Sequence, residues 1–162
     1  MDWIEERHRQ QQEAVKAKAA RSAADASDRK RLIRQSEPRW NSLVEEISSK
    51  VDSHNRLKSQ SPREHLTKLP ADCFLRIIGS VIEPVEGMWF SAPQQVSLEV
   101  RFDRARCVVY FEVPGRSPSD SMYFQNSFDG EITLYHGHKP TTKEEAAKLI
   151  LCSLLDIVDP PA

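Results

Sequence analysis

The stretch that decides the fold is QQVSLEVRFDRARCVVYFEV, residues 94–113. Apolar and polar side chains alternate on both sides of a short polar break at residues 103–106. This alternation is typical of a β-hairpin with one buried face. A four-residue connection at the break places all eight apolar side chains on that face. The predicted cross-strand pairs are Phe102 with Cys107, Val100 with Val109, Leu98 with Phe111 and Val96 with Val113.

Three further strands are predicted around this hairpin. Residues 74–84 are apolar on both faces, which indicates cover on both sides of the sheet or a bulge at Gly79. Residues 121–126 and 132–136 form a second hairpin. A three-residue loop ending in a left-handed Gly130 unites its apolar side chains better than a two-residue turn does. That loop pairs Asn126 with Ile132, Phe124 with Leu134 and Met122 with His136.

Residues 1–35 have the composition of a helix but no stripe of large side chains to bury. Val15 is the only large aliphatic residue between Ile4 and Leu32, and a new helix start is possible near Ser27. We therefore expect a charged arm that is helical or partly disordered.

Two more helices are predicted. One begins at Pro38 with Ser36 as its cap, because apolar residues recur at helical spacing after the proline. The other follows Thr141 and Glu144, which have the spacing of a capping box, and continues to about Asp156. The apolar stripe of the first of these helices is Trp40, Val44, Ile47 and Val51.

The predicted fold is α+β, an antiparallel five-stranded meander with two helices before it, the first one arm-like, and one after it. The predicted domain boundaries are 1–35 for the arm, 36–158 for the α+β domain and 159–162 for a tail. Helices and strands are not interleaved, which argues against a doubly wound nucleotide-binding fold.

Composition excludes several classes of protein. Three cysteines, Cys73, Cys107 and Cys152, are too few and too widely spaced for a disulfide framework or a zinc knuckle. The N-terminus lacks the apolar run of a signal peptide, and no stretch is as apolar as a membrane span. The net charge of −1 divides into +3 for residues 1–60 and −4 for residues 61–162. We expect a soluble cytoplasmic protein with no membrane partner.

No pattern dictates a chemistry. His136 and His138 are two imidazoles close in sequence, and Asp120 could approach them, but two ligands do not make a metal site. His54 and Asn55 fit the polar end of a helix better than an acid–base role. Nucleophile motifs and glycine-rich phosphate loops are absent from the sequence. We therefore predict no catalytic residues, no metal and no cofactor.

Two aromatic segments are candidate partner-binding residues. Trp3 and Ile4, after Asp2, would anchor the arm to a partner, because an exposed apolar pair is otherwise a liability. Trp89 and Phe90 lie in a connection between strands, where aromatic side chains either cover the core or bind a partner.

Four arginines support an alternative interpretation. Arg101, Arg104 and Arg106 cluster at the tip of the central hairpin, and Arg116 follows the next strand. Such a basic tip could contact a phosphate backbone. However, Asp103, Glu99 and Glu112 are nearby in sequence, and the domain is acidic overall.

The sequence thus favours a non-enzymatic protein–protein interaction module that self-associates or binds another protein, with its arm engaging the partner. The alternatives are a nucleic-acid-associated protein that uses the basic arm and hairpin tip, and a small-molecule-binding domain with a pocket near Trp89. The helix–meander–helix outline is similar to that of many small bacterial proteins of unknown function. No specific motif carries this resemblance, so it implies no site.

Overall fold

The computed structural model describes residues 3–161, which form two α-helices and a seven-stranded antiparallel sheet. The strands follow chain order across the sheet, so the predicted α+β meander is confirmed. The predicted numbers, five strands and three helices, are wrong. The helices are α1 (Trp3–Leu57) and α2 (Lys143–Val158), with a 3-10 turn at Pro62–Glu64. The strands are β1 (Thr67–Ala71), β2 (Phe74–Pro84), β3 (Ser91–Asp103), β4 (Val108–Glu112), β5 (Asp120–Asn126), β6 (Ile132–His136) and β7 (Lys139–Thr141).

The two additional strands, β1 and β7, are the edges of the sheet. Both are short, and each contains a proline, Pro70 or Pro140. A proline cannot donate a backbone hydrogen bond, so it is tolerated only where one side of a strand is unpaired; Pro84 and Pro93 likewise lie where β2 and β3 pair only with each other. This composition concealed both strands from a search for period-two alternation, and it also protects the edges from pairing with other chains.

Helix α1 is continuous through the predicted break, and Pro38 lies inside it. The predicted helix start at Ser36 is therefore wrong. Ser36 is instead fully buried, and its hydroxyl donates to the Ile33 carbonyl at 2.9 Å. Proline removes one helical hydrogen bond and usually kinks or ends a helix. Packing on both sides of Pro38 offsets the lost hydrogen bond. Ile33 packs against the core, and the Trp40 ring stacks on Phe102 with ring centroids 5.5 Å apart.

The central hairpin has the predicted buried face but a different register. Val100 pairs with Phe111, and Phe102 pairs with Val109, which is a shift of two residues. The turn is displaced because Cys107 adopts a left-handed φ of 57° and belongs to the connection rather than to β4. A shift of two residues keeps every side chain on its own face. All eight predicted apolar residues are therefore buried, with at most 5% of their surface exposed.

The predicted loop of the second hairpin, β5–β6, is confirmed, together with two of its three predicted pairs, Asn126 with Ile132 and Phe124 with Leu134. The ladder ends at Tyr123 and Tyr135, so the predicted pair of Met122 with His136 lies just outside it. The Ser127 amide donates to the Glu131 carbonyl at 2.8 Å, which leaves a three-residue loop with Gly130 at a φ of 81°. The left-handed glycine is what this loop length requires.

Strand β2 is regular through Gly79, so the suggested bulge is wrong. Gly79 serves close packing instead. A Cβ atom at this position would stand 2.9 Å from Val158 Cγ1 and 3.1 Å from Leu66 Cδ2. The glycine therefore lets the end of α2 approach the sheet closely.

Both helices cover the same face of the sheet. Their buried residues and the inward side chains of the strands form one core. The opposite face has no second layer among residues 3–161, contrary to the expectation of cover on both sides of β2. Phe74 on this face is shielded by two guanidinium groups, those of Arg76 and Arg101, at 5.5 and 5.8 Å from its ring centroid. Long polar side chains thus replace the expected cover.

Helix α2 begins one residue later than predicted. Thr142, rather than Thr141, is the N-cap, and Glu145, rather than Glu144, completes the capping box. The Glu145 amide donates to Thr142 Oγ1 at 3.2 Å, and the Thr142 amide donates to Glu145 Oε2 at 3.1 Å. Thr141 is unavailable as a cap because it is the last residue of β7.

Candidate functional site

Strands β2 and β3 continue beyond the sheet as a two-stranded ribbon. β1 pairs with β2 only over residues 74–78, and β4 pairs with β3 only over residues 99–103. Within the described chain, residues 80–84 and 91–95 form their ladder with each other alone. At about 3.4 Å per residue this part of the ribbon is roughly 17 Å long. The connection at its end, predicted to contain Trp89 and Phe90, spans residues 85–90, because β2 ends at Pro84 and β3 begins at Ser91.

The end of the ribbon carries an exposed apolar cluster, which we call the apolar tip: Ile82, Met88, Trp89 and Phe90. Trp89 is 95% exposed, and the other three side chains are 45 to 69% exposed. The Trp89 and Phe90 rings contact each other edge to face, with centroids 5.9 Å apart. Neither ring covers the core, so the aromatic pair is not a lid. Large exposed apolar clusters on soluble domains mark contact sites.

The ribbon is acidic. Glu83 and Glu86 lie next to the tip, and no lysine or arginine occurs between residues 77 and 100. Arg116, from the loop after β4, reaches across to Glu83 with both terminal nitrogens, and Nη2 lies 2.6 Å from Oε2. This ion pair lowers the pKa of Glu83 below its usual value. Arg116 thus braces the ribbon and does not project towards solvent as a free cation.

The other three predicted phosphate-contacting arginines also face carboxylates. Arg101 donates to Glu99 at 2.5 Å, and this contact lowers the pKa of Glu99. Arg104 lies 2.9 Å from a Glu37 oxygen and 2.8 Å from an Asp72 oxygen. Arg106 has a weaker ion pair, in which its Nε lies 3.8 Å from Asp103 Oδ2. The hairpin tip is therefore a network of ion pairs and not a continuous basic surface.

The first part of α1, residues 3–31, projects from the domain as a helical arm. Its side chains are exposed apart from a half-buried Glu6, and at 1.5 Å per residue it is about 43 Å long. Trp3 is 69% exposed and Ile4 is 46% exposed at its far end, whereas the predicted contribution of Asp2 lies outside the described residues. The arm joins the domain at Arg29, which donates to the Ala105 carbonyl at 2.9 Å.

The structure does not bring the two predicted partner-binding pairs together. The arm leaves the domain beside the turn after β3, and the apolar tip precedes the start of β3. The pair at Trp3 and the pair at Trp89 therefore lie beyond opposite ends of this strand. Each would contact a partner separately.

A groove of about 520 Å³ lies between the end of α1 and the start and middle of α2. Its walls are mainly apolar, and Leu57 on its rim is 86% exposed. Lys50 and Lys148 also line it, together with Glu144 and Glu145. The apolar wall residues are Val51, Leu57, Leu66, Leu151 and Leu155. A second cavity of about 580 Å³ lies at the N-terminus of α2, next to Thr142 and Lys143.

The polar residues considered for chemistry have structural partners. His136 Nε2 lies 2.8 Å from Asp120 Oδ2, as the sequence suggested, but the described residues contain no group of three metal-ligating side chains. Asn55 bonds both backbone groups of Leu66, at 2.9 and 2.8 Å, and so ties the end of α1 to the segment before β1. His54 contacts the Glu64 carbonyl at 3.2 Å.

Sequence reasoning identified Trp89 and Phe90 but missed Ile82, Met88 and the groove. Ile82 was assigned to a covered face of β2, although its neighbours Glu83 and Pro84 indicated the end of that face. Leu57 lies six residues after Val51, the last residue of the predicted apolar stripe. Only the packing of α2 against α1 shows that it stands on a rim.

No helix among residues 3–161 is long and apolar enough to cross a membrane. The chain matches no protein-family model, no curated protein and no solved structure, so the assignment of function depends on the geometry described above.

Proposed function

We propose that this protein is a non-enzymatic interaction module that binds a protein partner through the apolar tip. The observation that carries the proposal is the 95% exposure of Trp89 at the end of a projecting ribbon. Burying a side chain of this size in a partner contributes about 1.5–3 kcal/mol. Tryptophan is also the residue type most enriched among the side chains that dominate binding energy.

The chemistry around the tip supports a protein partner. Glu86 is the one carboxylate beside the tip that has no ion pair with another described residue, and it would repel phosphate groups, whether in nucleic acid or in an anionic membrane surface. A pocket on another protein, by contrast, can hold the aromatic pair while Glu83 and Glu86 remain at a wet rim. The arm, residues 3–31, offers a second attachment point through its terminal Trp3.

The nucleic-acid alternative has less support, because each of its four arginines has a carboxylate partner. The small-molecule alternative placed its pocket at Trp89. A side chain that is 95% exposed offers a ligand no enclosure. Neither alternative is favoured by a specific contact in the described chain. If the wild-type protein binds DNA or RNA and this binding falls steeply as the salt concentration rises, the nucleic-acid alternative is favoured instead.

The proposal is tested with Trp89→Ala in the full chain. Phe128→Ala is the matched control, because Phe128 is a fully exposed aromatic residue on another hairpin loop. Each variant is used as affinity bait, and captured proteins and the solution mass are compared with those of the wild type. Trp89→Ala should lose partners or mass that Phe128→Ala retains, while both keep the wild-type thermal midpoint. Equal capture and equal mass for all three proteins would refute the role of the tip.

A further inference from the structure

We propose that the partner is a second copy of this chain, whose apolar tip occupies the groove between α1 and α2, and that two copies exchange their ribbons in this way. The inference rests on the proposed function and names its partner. The groove is an open apolar depression, and the tip is an exposed apolar cluster on the same domain. Each has the surface that the other requires.

The apolar tip and the groove have complementary shapes. The tip is a convex pair of rings at the end of a narrow ribbon, and the groove is an open depression of about 520 Å³. The apolar wall would receive the rings, and the exposed Leu57 would pack against them. Hot-spot aromatic residues characteristically insert into such pockets near the centre of an interface.

Charge also favours this pairing. The ribbon carries two carboxylates: Glu83 is paired with Arg116, and Glu86 has no ion pair with another described residue. The groove carries Lys50, which is 3.6 Å from Glu46, and Lys148, which has no ion pair with another described residue. Two carboxylates share the groove. Of these, Glu145 is held by the cap of α2, whereas Glu144, like Lys148, has no ion pair with a described residue. Glu144 lies one helical turn before Lys148, so Glu86 approaching this lysine would add a second carboxylate partner to it.

The position of the ribbon permits a closed dimer. Leu66 lines the groove and also packs beside Gly79, the residue from which the ribbon projects. The base of the ribbon therefore lies next to the groove of the same molecule. Two copies related by a two-fold axis can then place each tip in the other's groove, which is a self-complementary contact that closes without forming a filament.

The expected contact area agrees with a weak dimer. Because large aromatic side chains bury about 150–250 Å² each, the exposed part of the tip supplies roughly 300–400 Å² per copy. The groove supplies less than half of this area, and the exchange creates two such contacts. The total is roughly 900–1,100 Å², which lies at the lower limit for specific interfaces.

The test is complementation between two variants of the full chain, measured as solution mass by sedimentation. Trp89→Ala removes the tip, and Leu57→Glu places a charge on the groove rim at a side chain that is 86% exposed. The wild type should be a dimer, and each variant alone should dimerise at least about tenfold more weakly. Mixing the two variants should give heterodimers that are stronger than either variant's own dimer but weaker than the wild type, because only one of the two contacts joins an intact tip to an intact groove.

Several results would overturn the inference. A monomeric wild type excludes the second copy, whereas a dimer that neither variant weakens excludes both surfaces. A dimer that Trp89→Ala weakens and Leu57→Glu leaves intact would indicate contact between two tips, and variants that each dissociate without any recovery on mixing would exclude the pairing of tip with groove. Phe128→Ala should dimerise as strongly as the wild type. If it dimerises more weakly, the loss of dimers in Trp89→Ala reflects the removal of any exposed aromatic side chain and not of the tip.

A charge exchange provides an independent test if Leu57→Glu disturbs folding. Glu86→Lys and Lys148→Glu should each weaken the dimer, and the double variant should recover most of the loss. No recovery in the double variant would contradict the proposed contact between these two groups. The inference and the proposed function fail differently: a monomeric wild type that still captures a partner through Trp89 retains the function and excludes only the second copy.

Discussion

Removal of the helical arm gives the sharpest prediction for the folded protein. The shortened chain should begin at Ser27, because Arg29 contacts the turn after β3 and Leu32 and Ile33 pack against the core. Ser27 then becomes a suitable N-cap for the shortened α1. The deletion removes residues 3–26 of the described helix and leaves every buried side chain in place.

The expected magnitudes follow from the burial of these residues. The two helices contain 55 and 16 residues, 71 in all, and the deletion removes 24 of them. The far-ultraviolet circular dichroism signal of helix, per molecule, should therefore fall by about one third. The free energy of unfolding should change by no more than about 0.5 kcal/mol, because no apolar contact with the core is lost.

Circular dichroism of the full and the shortened chain measures the helical signal, and urea titration measures the free energy of unfolding of each. A loss of stability of about 2 kcal/mol or more would mean that the arm packs on the domain. An unchanged helical signal would mean that the arm is not helical in solution. Ala20→Pro in the full chain is the control: it should reduce the helical signal by breaking the arm, without moving the midpoint of unfolding.

Three other predictions concern the folded domain. Thr142→Ala removes the cap of α2 and should lower the free energy of unfolding by about 1 kcal/mol, more than Thr141→Ala, in urea titrations. Leu98→Ala opens a cavity in the buried sheet face and should cost about 2–5 kcal/mol, so an unchanged thermal midpoint would contradict that face. Gly79→Ala places a Cβ atom against Val158. It should lower the thermal midpoint, and adding Val158→Ala should restore part of the difference.

The central hairpin illustrates which part of a fold local patterns can predict. Alternation assigned all eight apolar side chains to one face correctly, because a strand directs successive side chains to opposite sides. The same pattern cannot distinguish registers that differ by two residues. The left-handed backbone of Cys107 selected the register, and a non-glycine residue in that conformation gives no clear signal in sequence.

The candidate site shows a similar division. The aromatic pair Trp89 and Phe90 was visible in the sequence, but a lid and a contact surface have the same composition. Their exposure depends on the number of paired residues in β2 and β3 that extend past the neighbouring strands. The groove was not predictable at all, since its walls come from the ends of two helices that are distant along the chain.

The sequence by itself determined the class of fold, the buried face of each central strand, the loop of the second hairpin and the lack of a core-forming stripe in the arm. These properties follow from periodicity and turn chemistry, which act over a few residues. Only the tertiary structure decided that α1 continues through Pro38, that prolines mark two edge strands and that the apolar tip stands clear of the core. Each of these depends on packing between distant segments, whose energy outweighs local preference.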